Sequence, residues 1–345
     1  MYEKLLRPIL FLLSPEKIHS LVVFLIKVGF RIPGVKWLTQ RMTTVNHPSL
    51  RRSILGFEFK NPVGFAAGFD KNAEFYQDFD AFGFSFIEIG TVTPKPQLGN
   101  PKPRSFRLKD DKALINRMGF NNKGVVYAKE RLINRKPNLI VGGNIGKNTL
   151  TPNELAIDDY LYCFKELYDY VDYLVVNISC PNVANLRHLQ DAENLGKILE
   201  VLTSERKQCK IYKPILLKVS PDLTFEQLDE TITVAVDSGI DGFIATNTTT
   251  SRDNLTTNKE VVSLIGNGGL SGKPLTKRST EVISHIFNKT SGKMPIIGVG
   301  GIMTPADAIE KLNAGASLIQ VYTGFIYSGP MFVKQINKAL IKNSK

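Results

Sequence analysis

From about residue 55 onward, short apolar runs rich in β-branched residues alternate with longer stretches in which apolar residues recur at helical spacing. The runs cover residues 62–67, 85–90, 139–145, 173–178, 215–219, 242–245, 295–299 and 317–321. Helical patterns at 152–170, 192–207, 224–238, 275–288 and 305–314 separate most of them. Such alternation predicts parallel strands with helices outside. Eight units predict an α/β chain folded as a closed (β/α)8 TIM barrel. A doubly wound open sheet is the alternative, but no G-x-G-x-x-G follows the first run. Two stretches break the rhythm: 93–118, rich in Pro, Lys and Arg, and 248–274, rich in Thr, Asn and Gly. Both are expected as long loops at C-terminal strand ends, where barrel active sites are built.

The first 45 residues follow another pattern. Apolar residues cluster at 9–13 and 21–26, and neither run approaches the ~20 apolar residues of a membrane-spanning helix. No small-residue cleavage pattern follows them, which disfavours a signal peptide. Two short helices are predicted instead. Ser14 is a suitable N-cap with Pro15 at the first helical position, and Pro33-Gly34 ends the second helix. Leu21, Val22, Leu25 and Val28 form one stripe, with Val23, Phe24 and Ile26 outside it. A helix apolar nearly all round needs two dry neighbours. The main domain is one. A bilayer surface or a partner protein is the other. Two units are therefore expected: a helical membrane-docking extension at 1–45 and a catalytic barrel at 46–345.

The full chain of 345 residues, 43% of them hydrophobic, accommodates one barrel of roughly 250 residues plus an extension. A net charge of +12 and a pI near 9.4 favour an anionic partner, such as nucleic acid, a membrane surface or an acidic small molecule, without choosing among them. Cys163, Cys180 and Cys209 are scattered and form no CxxC pair. Neither a disulfide framework nor a zinc site is expected, and a reducing compartment fits.

If the barrel closes, polar residues just past each strand converge. Strand one runs into Gly68-Phe69-Asp70-Lys71, strand two into Gly90-Thr91, and strand three carries Asn144 and Lys147. Strand four delivers Asn177 and Ser179-Cys180-Pro181-Asn182. Strand five holds Lys218, and strand six ends in Thr246-Asn247-Thr248. Any one Asn or Thr here could simply start a turn; eight polar strand ends together point to a site. Gly300-Gly301 after strand seven and Thr323-Gly324 after strand eight stand where barrels bind phosphate, and Gly268 to Gly272 could add donors. Lys218 inside the barrel needs a bound anion, an electron-rich ring or a carboxylate such as Glu88. Cys180, in a polar turn between Asn177 and Asn182, reads as a reactive thiol, whereas Cys163 and Cys209 read as structural.

The stretches Lys60-Asn61-Pro62-Val63-Gly64, Ala66 to Lys71, Glu88 to Pro94, Asn116 to Asn122, Asn144 to Asn148, Ala245 to Thr249 and Gly298 to Ile302, in this order, resemble the class 2, quinone-linked dihydroorotate dehydrogenases over nearly the full chain. The resemblance implies one FMN at the top of the barrel, held by Ala67, Gly68, Thr91, Asn144, Asn177, Lys218, Thr246, Gly272, Gly301, Tyr322 and Thr323. It implies dihydroorotate, and its product orotate, held by Lys71, Asn116, Arg117, Met118, Gly119, Phe120, Asn177, Asn182, Asn247 and Thr248. A base would take the C5 proton while hydride leaves C6 for the flavin, and a membrane quinone would reoxidise the flavin at a site lined by His19, Arg107 and Tyr322. The family implies a role in pyrimidine biosynthesis, peripheral attachment to the cytoplasmic face of the cell membrane, no metal, no nucleic acid and a monomer.

One residue departs from the family pattern. Class 2 members usually carry Ser as the base, and Cys at that position is the habit of the soluble class 1. The N-terminal extension and most of the motifs favour class 2. A class 1 enzyme using fumarate or NAD would leave the extension unexplained. An FMN-dependent tRNA dihydrouridine synthase would need an RNA-binding C-terminal domain that the residues after strand eight are too few to form. A thiol, with an ordinary pKa of about 8.5, is a better base than a serine hydroxyl. Replacing Cys180 with Ala is therefore expected to leave flavin bound and abolish its reduction by dihydroorotate; normal reduction in a stopped-flow trace of that variant would reject the role.

Overall fold

The structure is a computed structural model that describes residues 2–136, 139–179 and 192–343. Eight strands close into a barrel: β1 (Val63–Phe65), β2 (Phe86–Val92), β3 (Ile140–Ile145), β4 (Tyr173–Asn177), β5 (Ile215–Val219), β6 (Gly242–Ala245), β7 (Ile296–Val299) and β8 (Leu318–Val321). Each pairs in parallel with its neighbours in the chain, and β8 closes on β1. The predicted runs and the observed strands differ by at most a few residues at their ends.

Alternation along each strand sorts the side chains. Outward residues such as Leu174, Val176, Ile215, Leu217 and Phe243 pack under the surrounding helices in the main core. Inward residues Phe86, Tyr173, Leu216, Ile244, Ile297 and Leu318 fill the lower barrel. Two glycines make room for the largest rings: a Cβ on Gly64 would fall 2.3 Å from the Phe86 ring, and one on Gly142 would fall 2.2 Å from the Tyr173 ring. A hairpin of Arg52–Ile54 and Phe57–Phe59 precedes β1, and Phe59 packs edge-on against Phe86 with ring centroids 5.2 Å apart. The barrel bottom is therefore a packed apolar plug, and ligand space is left at the C-terminal end.

The N-terminal residues form three helices after a short turn: α1 (Arg7–Leu10), α2 (Pro15–Gly29) and α3 (Val35–Thr43). The third was not expected from the pattern. Ser14 does stand at the N-cap of α2 with Pro15 in the first turn, but its hydroxyl makes no capping bond. The two-sided nature of α2 is plain. Val23 is buried in the core, and Phe30 at the end of the helix packs near Phe82, while Phe24 is 61% exposed beside exposed Leu21, Leu25 and Val28. Leu5, Leu6, Ile9, Trp37, Leu38 and Met42 extend the exposed apolar area. Among the described residues no single helix is long and apolar enough to cross a membrane.

Polar ties fasten this extension to the barrel. The Tyr2 hydroxyl donates to the Ile326 carbonyl at 2.7 Å, and Arg7 donates to the Tyr327 carbonyl at 3.0 Å. Glu16 pairs with the buried Arg104 at 2.8 Å, and Lys36 pairs with Asp78 at 3.0 Å.

The two stretches expected as irregular loops are structured. Ser105–Leu108 and Ala113–Asn116 from the first, with Gly269–Gly272 from the second, make a three-stranded antiparallel sheet. The second stretch also contains a helix, Lys259–Ile265, whose Asn258 cap accepts from the Glu260 amide. Asp111 binds the two together by accepting from the backbone amides and hydroxyls of Thr256 and Thr257 at 2.5–3.1 Å. Asp222, just past β5, accepts from the Thr249 hydroxyl and from the amide and hydroxyl of Thr250. The sheet adds a wall beside the C-terminal end of the barrel.

Candidate active site

Two residues further along the strands, inward positions turn from apolar to polar. Glu88 on β2, Asn144 on β3, Lys218 on β5 and Gln320 on β8 are all buried. The Glu88 carboxylate accepts from Asn144 Nδ2 at 2.7 Å and from Gln320 Nε2 at 2.7 Å, with Lys218 Nζ 3.9 Å away. Both readings of Lys218 therefore meet in one place: it has a carboxylate neighbour and it lines a cleft. Above, the Thr91 hydroxyl donates to Asn144 Oδ1 at 2.5 Å, and Asn177 Nδ2 donates to the Thr91 hydroxyl at 2.9 Å. Asn247 Nδ2 then donates to Asn177 Oδ1 at 3.2 Å and to the Ser179 hydroxyl at 3.1 Å, and Ser179 donates to the Lys218 carbonyl at 2.8 Å. These contacts fix the amide orientations without a ligand.

The cleft over this floor encloses about 1150 Å³ of empty space, including its open mouth. It brings together Ala67, Gly68, Thr91, Asn177, Lys218, Thr246, Gly272, Gly301, Tyr322 and Thr323 with Lys71, Asn116, Met118, Gly119, Phe120, Asn247 and Thr248. Asn144 lies one layer behind, in contact with Thr91 and Asn177. Arg117 turns away from it. Its guanidinium donates to the Ile265 carbonyl and, at 3.1 Å, to the Pro103 carbonyl, so it braces the added sheet. Cys180 and Asn182 lie outside the described residues.

One rim of the cleft is a close-packed backbone cradle. A Cβ on Gly301 would fall 2.3 Å from the Thr276 backbone, and Thr276 donates its hydroxyl to the Gly301 carbonyl at 2.7 Å. Ser279 donates to the Gly300 carbonyl at 2.7 Å. Behind both, the fully buried Lys311 ammonium donates to the Thr276 carbonyl at 2.5 Å and to the Thr280 hydroxyl. Sequence reading missed Lys311. Its signal was a lysine one turn after Ala308, on the buried face of the helix Pro305–Asn313. Bare glycine backbone, the Thr323 and Ser271 hydroxyls 2.8 Å apart, and the nearby Lys218 ammonium form a donor set that fits a phosphorylated planar cofactor. The buried Gln320 Oε1, which has no hydrogen-bond partner among the described residues, is a further group on the cleft lining.

His19 and Arg107 lie on the side facing the N-terminal helices. His19 Nε2 is 3.0 Å from the Phe69 carbonyl, and its ring meets Phe69 at 4.5 Å between centroids. Phe69 in turn meets Tyr322 at 5.8 Å. An aromatic path thus links α2 to the cleft. Burial lowers the His19 pKa and pushes that of Tyr322 up to about 12, so both favour their neutral forms. Arg107 donates to the Leu13 carbonyl at 2.6 Å and lies 4.4 Å over the Phe11 ring, and its buried Nε has no hydrogen-bond partner among the described residues.

Residues 49–343 match the family described as dihydroorotate dehydrogenase. The chain is 54% identical over 343 residues to the dihydroorotate dehydrogenase (quinone) of Christiangramia forsetii, covering 99% of each chain. It is 44% identical to that of a Shewanella species, covering 98% of this chain and 99% of the other. Among solved structures, the DHODH of Eimeria tenella in complex with ferulenol superposes with a TM-score of 0.85 at 38% identity, covering 96% of this chain and 91% of that one.

Lys311 offers a test of the cradle. Burial, which outweighs the neighbouring Glu310 and Asp307 charges, lowers its pKa from the ordinary 10.5 to about 8. Between those two values the unfolded chain holds a proton that the folded protein has released, so stability rises with pH across that window. Urea denaturation is expected to show wild type gaining on the order of 3 kcal/mol relative to Lys311→Met from pH 8 to 10.5. A constant difference between the two proteins would reject a buried ammonium behind the cradle.

Proposed function

The chain belongs to the dihydroorotate dehydrogenase family, and we propose that it is a quinone-linked member that oxidises (S)-dihydroorotate to orotate in de novo pyrimidine biosynthesis, with FMN in the cleft. The observation that carries this reading is the cleft itself. One polar floor, one glycine cradle and a set of asparagines with a lysine meet at the C-terminal end of a barrel. Flavin bound there supplies a two-electron acceptor that takes hydride from one partner and passes electrons to another.

The protein's share is binding and proton handling. The substrate's carboxylate needs a cation and N–H donors, and Lys71, with the backbone around Gly119, stands on the lining to supply them. Its ring amides need a mixed set of donors and acceptors. Asn116, Asn177 and Asn247 offer one, and two of these are already oriented by each other. Oxidation removes the C5 proton and the C6 hydride as the C5–C6 double bond forms. We assign the proton to Cys180, whose thiolate is the basic form. Asn182 is assigned to the substrate with it. Arg117 acts through the added sheet that carries its neighbours, since its side chain is turned outward.

Residues 1–45 form the docking extension in this reading. The exposed apolar side of α2 and α3, with Arg31 and Arg41 nearby, suits the cytoplasmic surface of the cell membrane, and in this reading the protein sits on that surface as a monomer. A lipophilic quinone then reaches the flavin beside His19, Arg107 and Tyr322, along the contacts of Phe69. The uncovered apolar surface is what favours a quinone over a soluble acceptor.

The purified protein is expected to be yellow and to oxidise dihydroorotate with a quinone analogue faster, by roughly tenfold or more, than with fumarate or NAD. Equal or better turnover with either soluble acceptor would reverse the class. Removing residues 1–41 is expected to leave anaerobic flavin reduction by dihydroorotate intact while lowering turnover with a long-chain quinone; unchanged quinone kinetics would reject the docking role.

A further inference from the structure

We propose that Glu88 is a positioning residue that sets the reduction potential of the flavin, an inference that rests on the flavin reading above. Glu88 is buried to 1% exposure and is absent from the cleft lining, so it acts through residues that do line the cleft or stand directly behind it.

An ionised carboxylate can only accept hydrogen bonds. Asn144 must therefore turn Nδ2 toward Glu88, which leaves Oδ1 to accept from Thr91 and, at 3.3 Å, from Asn177. Asn177, having given Nδ2 to these partners, presents Oδ1 to Asn247. One charge thus dictates the direction of a run of hydrogen bonds across the floor. The same carboxylate is the counterion of Lys218, and theirs is the one ion pair inside the barrel among the described residues.

The electrostatic consequence has a sign. A flavin gains negative charge when reduced, so an unbalanced ammonium beside it favours the reduced form. Glu88 offsets that pull and keeps the electrons available for the second acceptor. Removing its charge while keeping its shape should raise the potential. Gln at this position is accommodated, because Asn144 can still donate to the new carbonyl. A flip of the Gln320 amide would also offer its unpartnered Oε1 to the new NH2.

The test is an anaerobic spectroscopic redox titration of the flavin-loaded full-length protein beside Glu88→Gln and Glu88→Asp. Glu88→Gln is expected to keep flavin and to shift the two-electron reduction equilibrium at least about tenfold toward reduced flavin, about 30 mV more positive. Glu88→Asp keeps the charge and is expected to stay within about threefold of wild type. A flavin-loaded Glu88→Gln with the wild-type potential overturns the proposal, as does a tenfold shift in Glu88→Asp. A wild-type protein that binds no flavin overturns the flavin reading and this proposal together, which separates the two failures.

Discussion

A charge inside a closed barrel has to be balanced inside the barrel. Its bottom is closed by an apolar plug that includes Phe59, Phe86 and Tyr173. Glu88 and Lys218 meet this constraint at one level of the barrel, and the site is organised around them. Because buried ions need every remaining lone pair and proton satisfied, Asn144 and Gln320 are drawn in as donors. The remaining Oδ1 of Asn144 then orients Thr91 and Asn177 above. The polar floor is thus a consequence of one buried carboxylate rather than a collection of independent contacts, and it is in place before any ligand arrives.

Above that floor, two kinds of stiffness define the cleft. The glycine cradle is held from behind by side chains that reach backbone carbonyls, with Lys311 deepest. The adjoining wall is the antiparallel sheet made of the two long connections, which meets the cradle at Ser271 and Thr323 and is tied through Asp111 and braced by Arg117. The N-terminal extension reaches the cleft by aromatic contacts through Phe69. The extension also packs on the added sheet, where Arg107 donates to the Leu13 carbonyl and Arg104 pairs with Glu16, so the helices and the sheet form one continuous flank.

Much of this was legible in the sequence because strand alternation has a period of two and barrels impose it on every strand. Phe86 and Glu88, Leu216 and Lys218, and Leu318 and Gln320 are spaced so that finding one inward member locates the other. The eight runs and the polar strand ends followed from the same rule. What escaped notice depends on contacts between distant segments. The helix Val35–Thr43 begins directly after the Pro33-Gly34 break, with Gly34 in the left-handed region, and a break of that kind reads only as the end of the preceding helix. The sheet within the two long connections requires strands more than a hundred residues apart to pair, and short-range patterns carry no trace of that. Arg117 sits amid site residues in the chain, yet its side chain is claimed by the Ile265 carbonyl. Lys311 hid because a buried lysine is rare, and a helical lysine is first read as solvent-facing.

The fastening of the extension has a bearing on biosynthesis. Tyr2 and Arg7 bind the carbonyls of Ile326 and Tyr327, and β1 completes its pairing only with β8. Residues of the extension therefore wait for residues at least 320 positions later in the chain before they find their seat. Throughout elongation the apolar helices have no barrel to lean on, and such nascent segments invite aggregation or early capture by chaperones and lipid. Circularly permuting the chain at the barrel bottom would shorten that wait while leaving the finished contacts the same.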